Sequence, residues 1–139
     1  FAADRLDHVL NRRDGILEQV QNGVTVVTDR YYFSSYAYHS VDVDMGWVID
    51  SNRLSAELLR PDATIFLDLP VRRALDRISR NRAQTELFEK EDRLTATREK
   101  YLEAFARLKD TEKVVVIDAD ADADTVAERV WVAAAPLFF

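Results

Sequence analysis

The sequence predicts an α/β fold, a doubly wound parallel sheet with surrounding helices, and three observations carry that reading. The runs Val24–Thr28, Thr64–Leu69 and Val114–Ile117 are short, β-branched and nearly continuous in apolar residues, as in strands buried on both faces of a parallel sheet. Segments of helical period separate them, so strand and helix alternate along the chain. At 139 residues, 47% of them hydrophobic, the chain has material for one core, so a single domain over residues 1–139 is expected.

Leu6, Val9, Leu10, Ile16, Leu17 and Val20 recur at three- and four-residue intervals, which predicts one amphipathic helix from Ala2 to Asn22, stopped by Gly23. Val24–Thr28 follows as a strand. Asp29 and Arg30 then stand at its carboxyl end, where open α/β sheets bind ligands. Further helices are expected over about Phe33–His39, Met45–Leu59, Val71–Arg80, Glu89–Leu108 and Asp124–Ala135. Pro61-Asp62 marks a turn before the second strand, and Pro70 ends that strand or opens the next helix.

Composition removes several classes of function. There is no cysteine, which excludes a disulfide framework and a Cys-based metal site and agrees with a reducing compartment. No apolar run reaches the roughly 18 residues of a membrane span and no signal sequence is read, so a cytoplasmic protein without a membrane partner is expected. A net charge of −6 argues against a nucleic-acid polymer as partner, since polyanions are held through clustered Lys and Arg. The cations are 15 Arg to 4 Lys, and Asp118, Asp120, Asp122 and Asp124 alternate with alanine. A high-salt habitat and a GC-rich genome account for that bias equally well.

The densest chemistry lies in Asp29-Arg30-Tyr31-Tyr32-Phe33-Ser34-Ser35-Tyr36-Ala37-Tyr38. An Asp at a strand end can hold a magnesium-bound water or orient a nucleophile, and an adjacent Arg can grip a phosphate bidentately. Alone, the pair reads more readily as an exposed Asp-Arg at a strand-to-helix turn. Five aromatics within eight residues, with Ser34 and Ser35 among them, add the π-faces and hydrogen-bonding groups a nucleobase needs. Tyr32 and Phe33 read as core rings, and the whole run reads as a mononucleotide pocket.

That run resembles the signature of thymidylate kinases, the P-loop NTPase-like nucleoside monophosphate kinases that phosphorylate dTMP. Phe1-Ala2-Ala3-Asp4-Arg5 resembles the family's helix segment in which a Phe stacks on thymine and an Arg binds near the acceptor phosphate. One helical turn separates Phe1 from Arg5, so both project from one face. Pro61–Pro70 resembles the family's second core strand. It leads into Ala74–Arg82, similar to an Arg-bearing lid, at about 77–90, that closes over ATP. Arg77, Arg80 and Arg82 can neutralise polyphosphate there, although a helix end also favours Arg through its dipole. Glu86-Leu87-Phe88-Glu89, then Leu94, Arg98 and Tyr101, match an acidic-aromatic-acidic lid followed by an Arg-x-x-Tyr helix. Two positions depart: Leu87 stands where many members carry Arg, and His39 where many carry Gln. Trp47 and Asn52 also fit the family spacing and read as helix packing, and His8 reads as exposed.

The resemblance implies transfer of the γ-phosphoryl of ATP to dTMP, giving dTDP. It implies a catalytic set of Asp29, Arg30, Arg80 and Arg82, and dTMP held by Phe1, Arg5, Arg30, Ser34 and Tyr38, the last beside the deoxyribose. ATP would be met by Arg77, Arg80 and Arg82. Mg2+ accompanies ATP and would be served by Asp29, directly or through water. Family members are commonly homodimers, and the Ala2–Asn22 helix is a candidate face.

One family element is absent from these 139 residues: there is no Gly-x-x-x-x-Gly-Lys-Ser/Thr, and Gly15, Gly23 and Gly46 are isolated. By resemblance that loop follows the first strand, so the sequence looks like the carboxyl-terminal two thirds of a thymidylate kinase. In the family's strand order, 2-3-1-4-5, the first strand belongs between Val24–Thr28 and Thr64–Leu69. A mid-sheet gap with two unpaired edges, direct re-pairing of those two strands, or poor folding is therefore expected. An inactive fragment that only binds nucleotide and another nucleoside or deoxynucleoside kinase remain alternative readings.

Overall fold

A computed structural model describes residues 2–79 and 87–138, so Phe1, Arg80, Arg82 and half of the expected lid, residues 80–86, lie outside the described residues. Contacts divide the chain into two compact units, Phe1–Arg60 with Thr97–Ala104, and Pro61–Ala96 with Phe105–Phe139.

The first unit opens with two helices where the sequence predicts one, α1 (Ala2–Leu10) and α2 (Ile16–Gln21). The break is local. The Asn11 side chain accepts from the Arg13 N–H at 2.9 Å, and the Asn11 carbonyl accepts from the Gly15 N–H at 2.9 Å. A Cβ on Gly15 would stand 2.2 Å from that carbonyl oxygen, so only glycine closes this turn. Gly23, at φ 77°, ends α2 as expected. Its N–H bonds to the Val20 carbonyl and the Val24 N–H to the Gln19 carbonyl, the Schellman pattern that satisfies a helix's last acceptors.

Val24–Thr28 is not a strand, contrary to the sequence expectation. A strand needs a hydrogen-bonded neighbour, and among the described residues the sheet contains two other segments only. β-branched composition favours a half-buried pleated surface but cannot supply one. Val27 is accordingly 87% exposed.

Helices α3 (Tyr32–His39) and α4 (Met45–Leu58) follow in this unit, with Asp44 capping α4 through the Trp47 N–H. α4 packs against both α1 and α3. Val9, Tyr32, Phe33, Tyr36, Met45 and Val48 form the core, so the placing of Tyr32 and Phe33 there holds. Their rings interlock: Tyr32 and Tyr36 stack at 5.4 Å, and Phe33 meets Tyr36 edge-on at 5.3 Å. α4 turns Met45, Val48, Asn52 and Ser55 inward, one helical face. That face leaves Trp47 outside, 64% exposed, and corrects its reading as a packing residue.

In the second unit β1 (Thr64–Asp68) pairs in parallel with β2 (Val114–Asp118), Thr64 opposite Val114 through Asp68 opposite Asp118. Between them in sequence run α5 (Val71–Ser79) and α6 (Leu87–Leu108), whose middle, Thr97–Ala104, belongs to the first unit, and α7 (Ala123–Ala134) follows β2 and packs on it. Strand and helix alternate here as the sequence predicts. Burial on both faces does not hold, since Leu67 and Val116 are both half exposed, and among the described residues each strand also has only one strand neighbour.

The Asp-Ala alternation gains local roles. Asp118 pairs with Arg129, Asp120 pairs with Arg73 at 2.8 Å, and Asp122 caps α7 by accepting from the Thr125 N–H and hydroxyl. The Thr125 bonds hold the Asp122 carboxyl below the usual carboxylate range. Among the described residues no helix is long and apolar enough to cross a membrane.

Candidate functional site

A cavity of about 500 Å³ opens in the first unit, lined by Asp4, Arg5, His8, Ile16, Thr28, Arg30, Tyr31, Ser34, Ser35, Tyr38 and His39. Its size suits a small organic ligand rather than a metal ion or a polymer. Two guanidiniums face one carboxylate on its walls, so the lining favours an anion.

Arg30 reaches the cavity through an unusual backbone. Among the described residues it is the non-glycine residue at positive φ, 69°, a left-handed conformation that costs an L side chain about 1–2 kcal/mol. The surroundings hold it there. The Thr28 hydroxyl donates to the Arg30 carbonyl at 3.1 Å, and the guanidinium lies 5.3 Å from the Tyr38 ring centroid, a cation–π contact. Arg30 is thus aimed by a kink at the start of α3 rather than by the end of a strand. Strain of this kind at a charged residue is characteristic of ligand clamps.

Arg5 enters from α1. Its Nη1 donates to the Asn52 side-chain oxygen, its Nη2 donates to the Ser35 hydroxyl at 2.8 Å, and its guanidinium lies 5.7 Å from the Tyr31 ring centroid. Burial lowers the Arg5 pKa from its ordinary value, opposed by the phenols of Tyr31 and Tyr36. The Tyr31 phenol is pushed up, first by burial, with Arg5 opposing. Its hydroxyl donates to the Ser55 and Leu59 carbonyls at 3.3 and 3.2 Å, tying α3 to the end of α4.

Of the residues named from sequence, Arg5, Arg30, Ser34 and Tyr38 line this one cavity. Asp29 is exposed at the bend before Arg30 and is not part of the lining. Arg77 belongs to the other unit, where its guanidinium donates to the Ala119 and Ala121 carbonyls at 3.2 and 3.1 Å. Sequence reasoning counted Ser35 among the hydroxyls of the pocket run but assigned no role at the site to Tyr101, and His8, though exposed, also lines the cavity. Tyr101 carries the hydroxyl that meets Ser34. The Arg-x-x-Tyr spacing in α6 was the available signal for it. Among the described residues no group of three or more His, Cys, Asp or Glu could hold a metal by itself.

A sequence model of the thymidylate kinase family matches residues 1–130. The chain belongs to the thymidylate kinase family. A "Probable thymidylate kinase" of Thermococcus kodakarensis is 33% identical over 135 residues, covering 94% of this chain and 60% of that protein. A "Thymidylate kinase" of Nitrobacter winogradskyi is 38% identical over 139 residues, covering 96% of this chain and 58% of its own length. A "Probable thymidylate kinase" of Archaeoglobus fulgidus is 38% identical over 125 residues, covering 89% and 60%. The chain thus spans about half to three fifths of the length of the curated relatives it matches. Membership of the thymidylate kinase family accords with the parallel sheet and alternating helices of the second unit, and makes the chain kin to nucleoside monophosphate kinases.

Proposed function

We propose that this chain carries the acceptor half of an ATP-dependent thymidylate kinase, with dTMP bound in the cavity of the first unit. The observation that supports it most is the strained Arg30, facing a cavity that Arg5 also lines. Arg30 grips the acceptor phosphate, with Arg5 beside it, and Ser34 adds a hydroxyl. Tyr38, braced by Arg30, packs against the deoxyribose, and Phe1 stacks on thymine. Arg77, Arg80 and Arg82 neutralise the ATP polyphosphate.

The reaction moves the γ-phosphoryl of ATP onto a phosphate oxygen of dTMP, yielding dTDP and ADP. No covalent enzyme intermediate is needed, because such transfers are accelerated by alignment and charge neutralisation. Mg2+ bound with ATP would supply further neutralisation. Asp29, an exposed single carboxylate, suits an ion whose other ligands are water and phosphate oxygens. The working enzyme is a cytoplasmic homodimer in this reading.

A second reading is favoured by the lack of a Gly-x-x-x-x-Gly-Lys-Ser/Thr loop within the 139 residues: the chain itself binds dTMP without transferring phosphate. Calorimetric titration with dTMP and with thymidine tests the pocket. The phosphate clamp requires thymidine to bind at least about tenfold more weakly. Equal affinities would overturn it. A coupled assay for dTDP then separates the readings, since any ATP-dependent product from the 139-residue chain excludes binding alone. Turnover of thymidine in place of dTMP would instead indicate a nucleoside kinase.

A further inference from the structure

Asn52 sits in α4 with 3% of its surface exposed, and a buried side-chain amide needs partners for both its oxygen and its nitrogen. Its Nδ2 donates to the Val48 carbonyl one turn earlier at 2.8 Å. The helix's own backbone therefore fixes which way the amide points. The oxygen is left facing Arg5, whose Nη1 donates to it, while Arg5 Nη2 donates to Ser35 on α3. The guanidinium is thus tied to two different helices at its two terminal nitrogens, with the Tyr31 ring 5.7 Å away.

Packing alone does not require this arrangement, since an apolar residue would fill position 52 without needing hydrogen-bond partners. A guanidinium carries five N–H donors, and the two bonds to Asn52 and Ser35 leave others for a ligand in the cavity that Arg5 lines. The acceptor is also neutral. A carboxylate at position 52 would orient Arg5 as well but would cancel its charge, whereas an amide oxygen orients it and leaves the charge for the ligand.

We propose that Asn52 is the positioning residue for Arg5, holding its guanidinium in one orientation on the cavity wall with its charge uncompensated, so that an anionic ligand meets a preset donor. The identity of that ligand as a nucleoside monophosphate rests on the function proposed above; the clamp itself does not.

Two measurements on the full 139-residue chain test it. In the ligand-free protein, side-chain NMR of Arg5 should show separate Nη resonances, because both ends of the guanidinium are tied. Asn52→Leu should merge them and Asn52→Asp should keep them. Separate Nη signals in a folded Asn52→Leu protein, or merged signals in wild type, would overturn the proposal. In dTMP titrations, Asn52→Leu should weaken binding about tenfold, the worth of one hydrogen bond to a charged group. Arg5→Ala combined with Asn52→Leu should be no weaker than Arg5→Ala alone, and additive losses would count against a shared role. Asn52→Asp gives up the Nδ2 bond to the Val48 carbonyl and should melt lower than wild type, but where it is folded it should also bind dTMP more weakly, and unchanged affinity would refute the need for a neutral acceptor. If wild type fails to bind dTMP at all, the reading of the cavity falls, and the NMR result still decides the clamp.

Discussion

The Tyr101 hydroxyl lies 2.8 Å from the Ser34 Oγ, joining the middle of α6 to the first turn of α3. The Tyr101 ring also meets the Tyr38 ring edge-on, with centroids 6.3 Å apart, and Arg30 lies against Tyr38. Three residues of the candidate site thus depend on one phenol that does not line the cavity. Burial pushes the Tyr101 phenol up, against the lowering effect of the Ser34 bond.

Tyr101→Phe keeps the ring and deletes that bond. Stability in urea should fall by about 1 kcal/mol, the usual worth of one hydrogen bond. Affinity for dTMP should fall with it, because Ser34 loses its fixed partner. A variant with wild-type stability would show that the bond contributes nothing.

Tyr31 and Tyr101 both hold their protons more tightly when folded than the usual phenol does. A group whose folded pKa is raised stabilises the fold below its unfolded pKa, and that contribution is lost as pH rises through the folded value. With an unfolded pKa near 10, urea midpoints should hold to about pH 9 and decline above it. Tyr31→Phe and Tyr101→Phe should each flatten the alkaline decline. Parallel curves for wild type and both variants would contradict the assignment.

The left-handed backbone of Arg30 separates stability from binding. Glycine tolerates φ 69° and alanine does not, so Arg30→Gly should be more stable than Arg30→Ala by about 1 kcal/mol. Both should lose the preference for dTMP over thymidine. The reverse order of melting temperatures would mean that the backbone relaxes when the arginine is removed.

Two glycines should fail for different reasons. Gly15→Ala would drive a Cβ to within 2.2 Å of the Asn11 carbonyl oxygen and should cost about 1–3 kcal/mol as the turn opens. Gly23→Ala meets nothing within 4 Å, and its cost is the positive φ alone, about 1 kcal/mol. Thermal melts of the two variants should rank Gly15→Ala lower.

Much of the site was legible because its signals are local. Arg30, Ser34 and Tyr38 fall in a run whose residue types point to a nucleotide pocket, Arg5 was named by the family resemblance of Phe1–Arg5, and all four line the cavity. Asp29 could be named too, but a bend rather than a strand end sets its position, outside the lining. The break between α1 and α2 was also written locally, in Asn11 and in Asp14-Gly15, a turn signal that the longer apolar period concealed.

Beyond the break between α1 and α2, the sequence by itself determined the helices and their order, since Met45–Leu58, Val71–Ser79 and Ala123–Ala134 follow from apolar period, caps and prolines to within a few residues. Tertiary structure alone decided what those elements meet. Val24–Thr28 has strand composition without strand partners, Trp47 has core composition on the outer face of its helix, and Asn52 and Tyr101 act through partners 47 and 67 residues away. Backbone preference is settled by neighbours in sequence, but a sheet bond, a buried amide or a guanidinium clamp exists only when folding brings its second half within reach.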